Sequence, residues 1–144
     1  MPPCRFPHYP SGYSVGLANV ISVAAVDHYD NTVWRGSNYG RKSVQIAAPH
    51  GTLTTALRGT YLSLYGTSFA APHVTGGAVL LLAYLQSLGI SVDLPNRHVA
   101  SLVRNAMVST THEVGLGAGP IGGGMLYLPG ALRALRLEIS RQEL

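Results

Sequence analysis

Charge is what this sequence has least of. Asp, Glu, Lys and Arg make up 11% of its 144 residues, against about 25% in an average soluble domain. Intrinsic disorder needs high charge and few apolar residues, and a coiled coil needs abundant Glu, Lys and Arg at heptad spacing, so both are excluded. The net charge of +4 has no focus: Arg35, Arg41, Lys42, Arg58, Arg97 and Arg104 are scattered, and only Arg133, Arg136 and Arg141 gather near the C-terminus. A nucleic-acid partner is therefore not expected, because such a face needs clustered cations. The single cysteine, Cys4, allows no internal disulfide and lacks metal-site spacing, and it leaves the compartment open. The start MPPCRFPHYPSG is broken by prolines and has no apolar h-region, so it does not read as a signal peptide. A membrane span is missing too. Residues 69–90 are largely apolar, but Pro72, His73, Thr75, Gln86 and Ser87 interrupt them. The longest clean run is about half of what a bilayer requires, so no membrane partner is expected.

What is present is apolar matter and glycine: 47% hydrophobic residues and 17 glycines. Residues 1–18 read as irregular, broken by Pro2, Pro3, Pro7, Pro10, Gly12 and Gly16. NVISVAAV (19–26) is a short β-branched run, the pattern of a parallel strand buried on both faces. SVQIAAP (43–49) reads as a second strand and residues 61–65 as a third short one. A helix over 68–87 is apolar all round, which marks a buried helix of a larger α/β core. Asp93-Leu94-Pro95 predicts a helix start, leading into RHVASLVRNAM, where Val99, Leu102, Val103 and Ala106 share a face. Residues 115–124 form a glycine loop, and a last helix from Pro129 carries Leu132, Leu135 and Ile139. Strands alternating with helices make the fold α/β, in one domain with a core over 19–137 and a tail over 138–144.

The chemistry concentrates in YGTSFAAPHVTG, residues 65–76. Gly66 permits a tight strand-to-helix turn and Ser68 sits where the helix begins, among unpaired N–H groups at the positive end of its dipole. A serine there can attack a carbonyl while its own N–H points at the developing oxyanion. On spacing alone the commoner role of a serine at that position is simply an N-cap. Ala70, Ala71, Gly76 and Gly77 are small enough for close packing on a sheet, and Pro72 is read in the first turn, where it disturbs no helical bond.

GTSFAAPHVTG resembles the nucleophile signature of the subtilisin-like serine peptidases (subtilases), with Ser68 at the nucleophile's place. The resemblance runs from His8 to Leu137. NVISVAAVD (19–27) is similar to a buried family strand, and Ser37-Asn38-Tyr39-Gly40 with VQIAAP (44–49) to S-N-x-G…V-x-x-A-P-G. Residues 124–135 are similar to the closing helix, and Tyr9-Pro10 to a Tyr-Pro, usually cis, that borders the primary specificity pocket. The resemblance implies the C-terminal portion of a parallel-sheet, three-layer sandwich. It implies a serine endopeptidase acting through an acyl-enzyme on Ser68, with Tyr9, Pro10, Gly66 and Thr67 binding a polypeptide substrate.

The resemblance breaks in three places. No D-[ST]-G, H-G-T or A-G-N precedes Asn19, so the family's Asp, His and oxyanion Asn have no counterpart. The chain reads as a fragment, about half of a domain of common single-domain size. The missing half is then a partner, and the fragment alone is expected to be poorly soluble or molten. His50-Gly51-Thr52 spells the histidine motif but stands where the family has the glycine of A-P-G. His73, five residues after Ser68, points elsewhere and is expected to be packed and hydrogen-bonded. Asp27 and Asp30 are read as turn caps rather than orienters of an imidazole, and His8, His28, His98 and His112 as surface. Gln45 stands where the family places an acidic cation ligand, so no calcium or other cofactor is expected. Residues 12–17 make a loop longer than usual near the pocket entrance. The alternative is an inert pseudo-peptidase acting only by binding.

Overall fold

The computed structural model describes residues 8–93 and 97–142. The proline-rich start with Cys4, and Leu94-Pro95 of the expected helix start, lie outside them. Among the described residues five strands and three helices follow in order: β1 (Val23–Asp27), β2 (Thr32–Val33), β3 (Ile46–Pro49), β4 (Gly51–Thr55), β5 (Tyr61–Tyr65), α1 (Thr67–Ser87), α2 (Arg97–Val108) and α3 (Leu128–Gln142). A 3-10 turn over Ser11–Val15 occupies most of the long entrance loop.

β1 is the middle strand of a three-stranded sheet ordered β2-β1-β3. It runs parallel to β3, with Ala24 opposite Ala47 and Ala25 opposite Ala48. Ala24, Ala25 and Val26 are fully buried, as the β-branched run predicts for a strand covered on both faces. Alternation divides them. Ala25, Ile46 and Ala48 join Val74, Leu81, Leu85, Val103, Met107 and Leu135 in the core beneath the helices. Ala24, Val26 and Ala47 face the other way with Val44, covered by Val114, Ile121 and Met125.

β1 and β3 begin later than the apolar runs suggest, and Gln45 is the reason. Its Oε1 accepts the N–H of Ser22 at 2.8 Å while its Nε2 donates to the carbonyl of Lys42 at 3.3 Å. Side-chain bonds thus replace the ladder at its first step. β2 and β4 escaped the sequence pattern, the first being two residues long and the second threonine-rich and half-exposed. β4 and β5 form an antiparallel hairpin apart from the main sheet, with Gly51 opposite Tyr65 and Thr55 opposite Tyr61. All five β5 residues are exposed. The glycine loop lies backbone-on-backbone against residues 41–45. A side chain on Gly122 would meet the Arg41 carbonyl at 2.6 Å, and one on Gly123 the Gln45 carbonyl at 2.5 Å.

α1 buries Ala70, Val74, Gly77, Leu81 and Leu85 against β1, β3, α2 and α3, with Gly77 facing Met107 and Leu128. Ala78, Leu82 and Tyr84 are partly buried at the border of that core, while Val79 at 58% and Leu80 at 63% exposure stay open. Gly76, expected at the sheet, faces outward with nothing within 4 Å of a side chain placed there. α3 starts one residue before Pro129 and runs on through most of the expected tail.

Candidate active site

The site is built where β5 turns into α1. Gly66 has φ 141° and ψ 168°, a region that side-chain-bearing residues rarely adopt. It is also the residue before the helix, and no side-chain hydrogen bond caps that end. Ser68 is therefore the second residue of α1 rather than its N-cap, and the capping alternative does not hold. Ser68 is exposed, and its hydroxyl bonds to none of the described residues. Phe69 and Ala70 donate back to the Gly66 carbonyl. The N–H groups of Thr67 and Ser68 have no partner among the described residues, as expected at a helix start. An exposed hydroxyl and free N–H groups thus lie within one turn, an arrangement that can set a nucleophile beside an oxyanion donor.

Pro72 corrects the sequence reading. With α1 starting at Thr67, it is the sixth helical residue, inside the helix, and cannot donate to the Ser68 carbonyl. His73 is hydrogen-bonded, its Nδ1 lying 2.8 Å from the Phe69 carbonyl, but it is exposed rather than packed. Its ring borders a cleft of about 290 Å³ between β4 and α1, with Thr52, Thr54, Phe69 and Pro72.

His50 is the unexpected residue. It is 5% exposed, and its Nε2 lies 3.5 Å from Oδ2 of Asp27. Neither ring nitrogen hydrogen-bonds to a described residue. Its ring stacks on Trp34 at 5.1 Å and lies 5.4 Å from Tyr65 and 6.4 Å from His28. The contact with Ser68 that a general base needs is absent. His50 instead meets the serine turn through its backbone, its carbonyl accepting the Gly66 N–H at 3.0 Å.

Asp27 does cap its turn, Oδ1 accepting the N–H of Tyr29 at 2.9 Å, yet its other oxygen faces the imidazole as well. The Tyr29 N–H is the main cause holding its carboxyl below the ordinary value. Partial burial opposes this, and His50 and His28 add to the lowering. Asp30 caps as expected, its Oδ1 accepting from the N–H and hydroxyl of Thr32. His8, His28, His98 and His112 are exposed. The Tyr9–Pro10 peptide is cis, and the Tyr9 ring lies 4.9 Å from Tyr13. Among the described residues no hydrogen bond or ring contact joins Tyr9 or Pro10 to residues 66–68. The sequence signal for the His50 cluster was available: a histidine in a family glycine's place, with Asp27-His28 ending the neighbouring strand.

A sequence model of the Peptidase_S8 family, the subtilase family, matches residues 6–121. The chain belongs to the subtilase family. No curated protein matches it. Among solved structures it is similar to the patellamide maturation protease PatA, at 28% identity and a TM-score of 0.69 over 82% of this chain and 43% of that one. It is also similar to the prenylagaramide maturation protease PagA, at 28% identity and 0.66 over 81% and 42%. A third is a protease from Pseudoalteromonas arctica, at 26% and 0.55 over 81% and 36%. The chain thus spans less than half the length of these subtilase-like structures, whose fold it shares.

Proposed function

We propose that this chain carries the nucleophile of a subtilisin-like serine endopeptidase, as the C-terminal portion of its catalytic domain. The observation that carries the reading is Ser68, open on the first turn of α1 behind a glycine at φ 141°, with free N–H groups beside it. Ser68 Oγ attacks the carbonyl carbon of a peptide bond. The C–N bond breaks, the amine leaves with the proton taken from Oγ, and water hydrolyses the acyl-enzyme. The Ser68 N–H holds the oxyanion. Gly66 and Thr67 line the peptide's path, and Tyr9 and Pro10 form part of the pocket wall.

The base comes from elsewhere. His50 is buried without a bond to Ser68, and His73 spends Nδ1 on the Phe69 carbonyl. The Asp, His and oxyanion Asn then belong to polypeptide outside these 144 residues. The surface supports this reading, because α1 leaves Val79 at 58% and Leu80 at 63% exposure. By length and composition α1 could cross a membrane, but its packing against β1, β3, α2 and α3 makes it the central helix of a protein core. No calcium site is proposed beside β3, because Gln45 uses both amide atoms on backbone.

The second reading, an inert pseudo-peptidase that only binds, is favoured by one fact: the Ser68 hydroxyl has no basic partner among the described residues. A fluorophosphonate probe distinguishes the two. Labelling that appears on adding a polypeptide with the Asp, His and Asn motifs, and is lost in Ser68→Ala, supports the peptidase. No labelling in that mixture supports the inert form.

A further inference from the structure

Asp27 ends β1 and His50 follows β3, so both lie at the carboxyl ends of adjacent parallel strands. That is the edge of an α/β sheet where ligands gather. Asp27 keeps 31% of its side chain open, and its only ion-pair contact among the described residues is His50, not a Lys or Arg. Rings gather beside it: His28 packs on Tyr29 at 3.9 Å, and the His50 ring lies 5.1 Å from Trp34 and 5.4 Å from Tyr65. Gly51, lacking a side chain, lets Tyr65 and His28 lean over it. A carbon there would meet Tyr65 at 3.0 Å and His28 at 3.8 Å. Beneath the carboxylate, His50 is a second unmet polar group, with only 7% of its side chain exposed, both ring nitrogens unbonded and Nε2 aimed at Oδ2.

An open carboxylate among aromatic faces, without a permanent cation, has the composition of a cation site. We propose that Asp27, with the rings of His28, Tyr29 and Tyr65, is a subsite for an arginine or lysine side chain of a bound polypeptide. Its distance from the serine is limited by the chain itself. Tyr65 precedes Ser68 by three residues, so their Cα atoms are at most about 11 Å apart, the span of about three residues of extended peptide. The His50 carbonyl, bonded to the Gly66 N–H, ties the subsite to the nucleophile's turn. Calling it a substrate subsite rests on the peptidase reading; the binding itself does not.

Trp34 is the only tryptophan and stacks on His50, so its fluorescence reports on the site directly. The full chain at low micromolar concentration is titrated with a blocked alanine peptide carrying one arginine, and with the same peptide carrying uncharged citrulline. The arginine peptide is expected to give a saturable change, with citrulline at least tenfold weaker. Asp27→Asn abolishes the preference. Tyr65→Ala, which removes a ring 60% exposed and outside the core, weakens arginine binding severalfold and decides the matter if the Asp27 variant does not fold. Equal binding of the two peptides overturns the proposal. So does the absence of any saturable change while circular dichroism shows a folded chain. Fluorophosphonate labelling of the chain mixed with a polypeptide carrying the Asp, His and Asn motifs reads the serine chemistry separately, so either reading can fail alone.

Discussion

At the scale of single residues the site depends on backbone geometry more than on side-chain contacts. Gly66 shows this best: nothing crowds a side chain there closer than 3.9 Å, yet φ is 141°. Gly66→Ala is therefore expected to cost about 1–3 kcal/mol through conformation alone, read as a lowered urea midpoint. Asp27 gives a prediction in pH. Its folded-state carboxyl is held below the ordinary 3.8, first by the Tyr29 N–H. A depressed carboxyl stabilises fully above the unfolded value and loses that contribution as pH falls through the folded one. Stability should thus decline below about pH 3.8, and Asp27→Asn should flatten that part of the acid limb in urea melts. An unchanged acid limb would remove Asp27 from the account. Gly66 and Ser68 were legible because their motif is local in sequence. The His50 site was only half legible: a histidine in a glycine's place stood in the sequence, but its partners come from β1, β5 and the segment after β2, which meet only through the fold.

At the scale of elements, α1 separates what is packed from what is open. Leu85 is fully buried beneath the helices, whereas Leu80, on the same helix, is 63% exposed. Leu85→Ala should cost about 2–5 kcal/mol and Leu80→Ala about 0.5 kcal/mol or less, a contrast that thermal melts of the two variants would show. Near-equal costs would mean that α1 packs differently. The apolar runs announced β1, β3 and α1 because each is buried on at least one face. β2 and β4 left no such trace: β2 is held by two register pairs and β4 by its hairpin partner, neither of which shows as hydrophobic period. Pro72 was misplaced for a simpler reason: it is the sixth residue of α1, and even a start at Ser68 would make it the fifth, past the first turn.

At the scale of the whole molecule, low charge and abundant apolar residues have a physical explanation. The core is closed where helices meet β1 and β3, with Ile46, Leu85, Met107 and Leu135 out of solvent. The outer face of α1 and the β4–β5 hairpin are apolar and uncovered, with Leu53 at 68%, Tyr61 at 65% and Val79 at 58%. A chain with its own closed core and bare flanks should fold and be poorly soluble through association, rather than be molten as the sequence alone also allows. Light scattering is expected to give a mass well above 15.2 kDa, falling when Val79 and Leu80 are replaced by serine, whereas a monodisperse monomer would show that nothing needs to cover them. On the proposed peptidase reading, catalysis depends on the same completion. General base catalysis contributes about 10²–10⁴ in rate. The most direct measurement is the fluorophosphonate labelling rate of Ser68, alone and with a polypeptide supplying the Asp, His and Asn motifs. At least a hundredfold increase on mixing, absent in Ser68→Ala, is predicted; equal rates with and without that polypeptide would contradict the claim that this chain supplies the nucleophile and another segment its base.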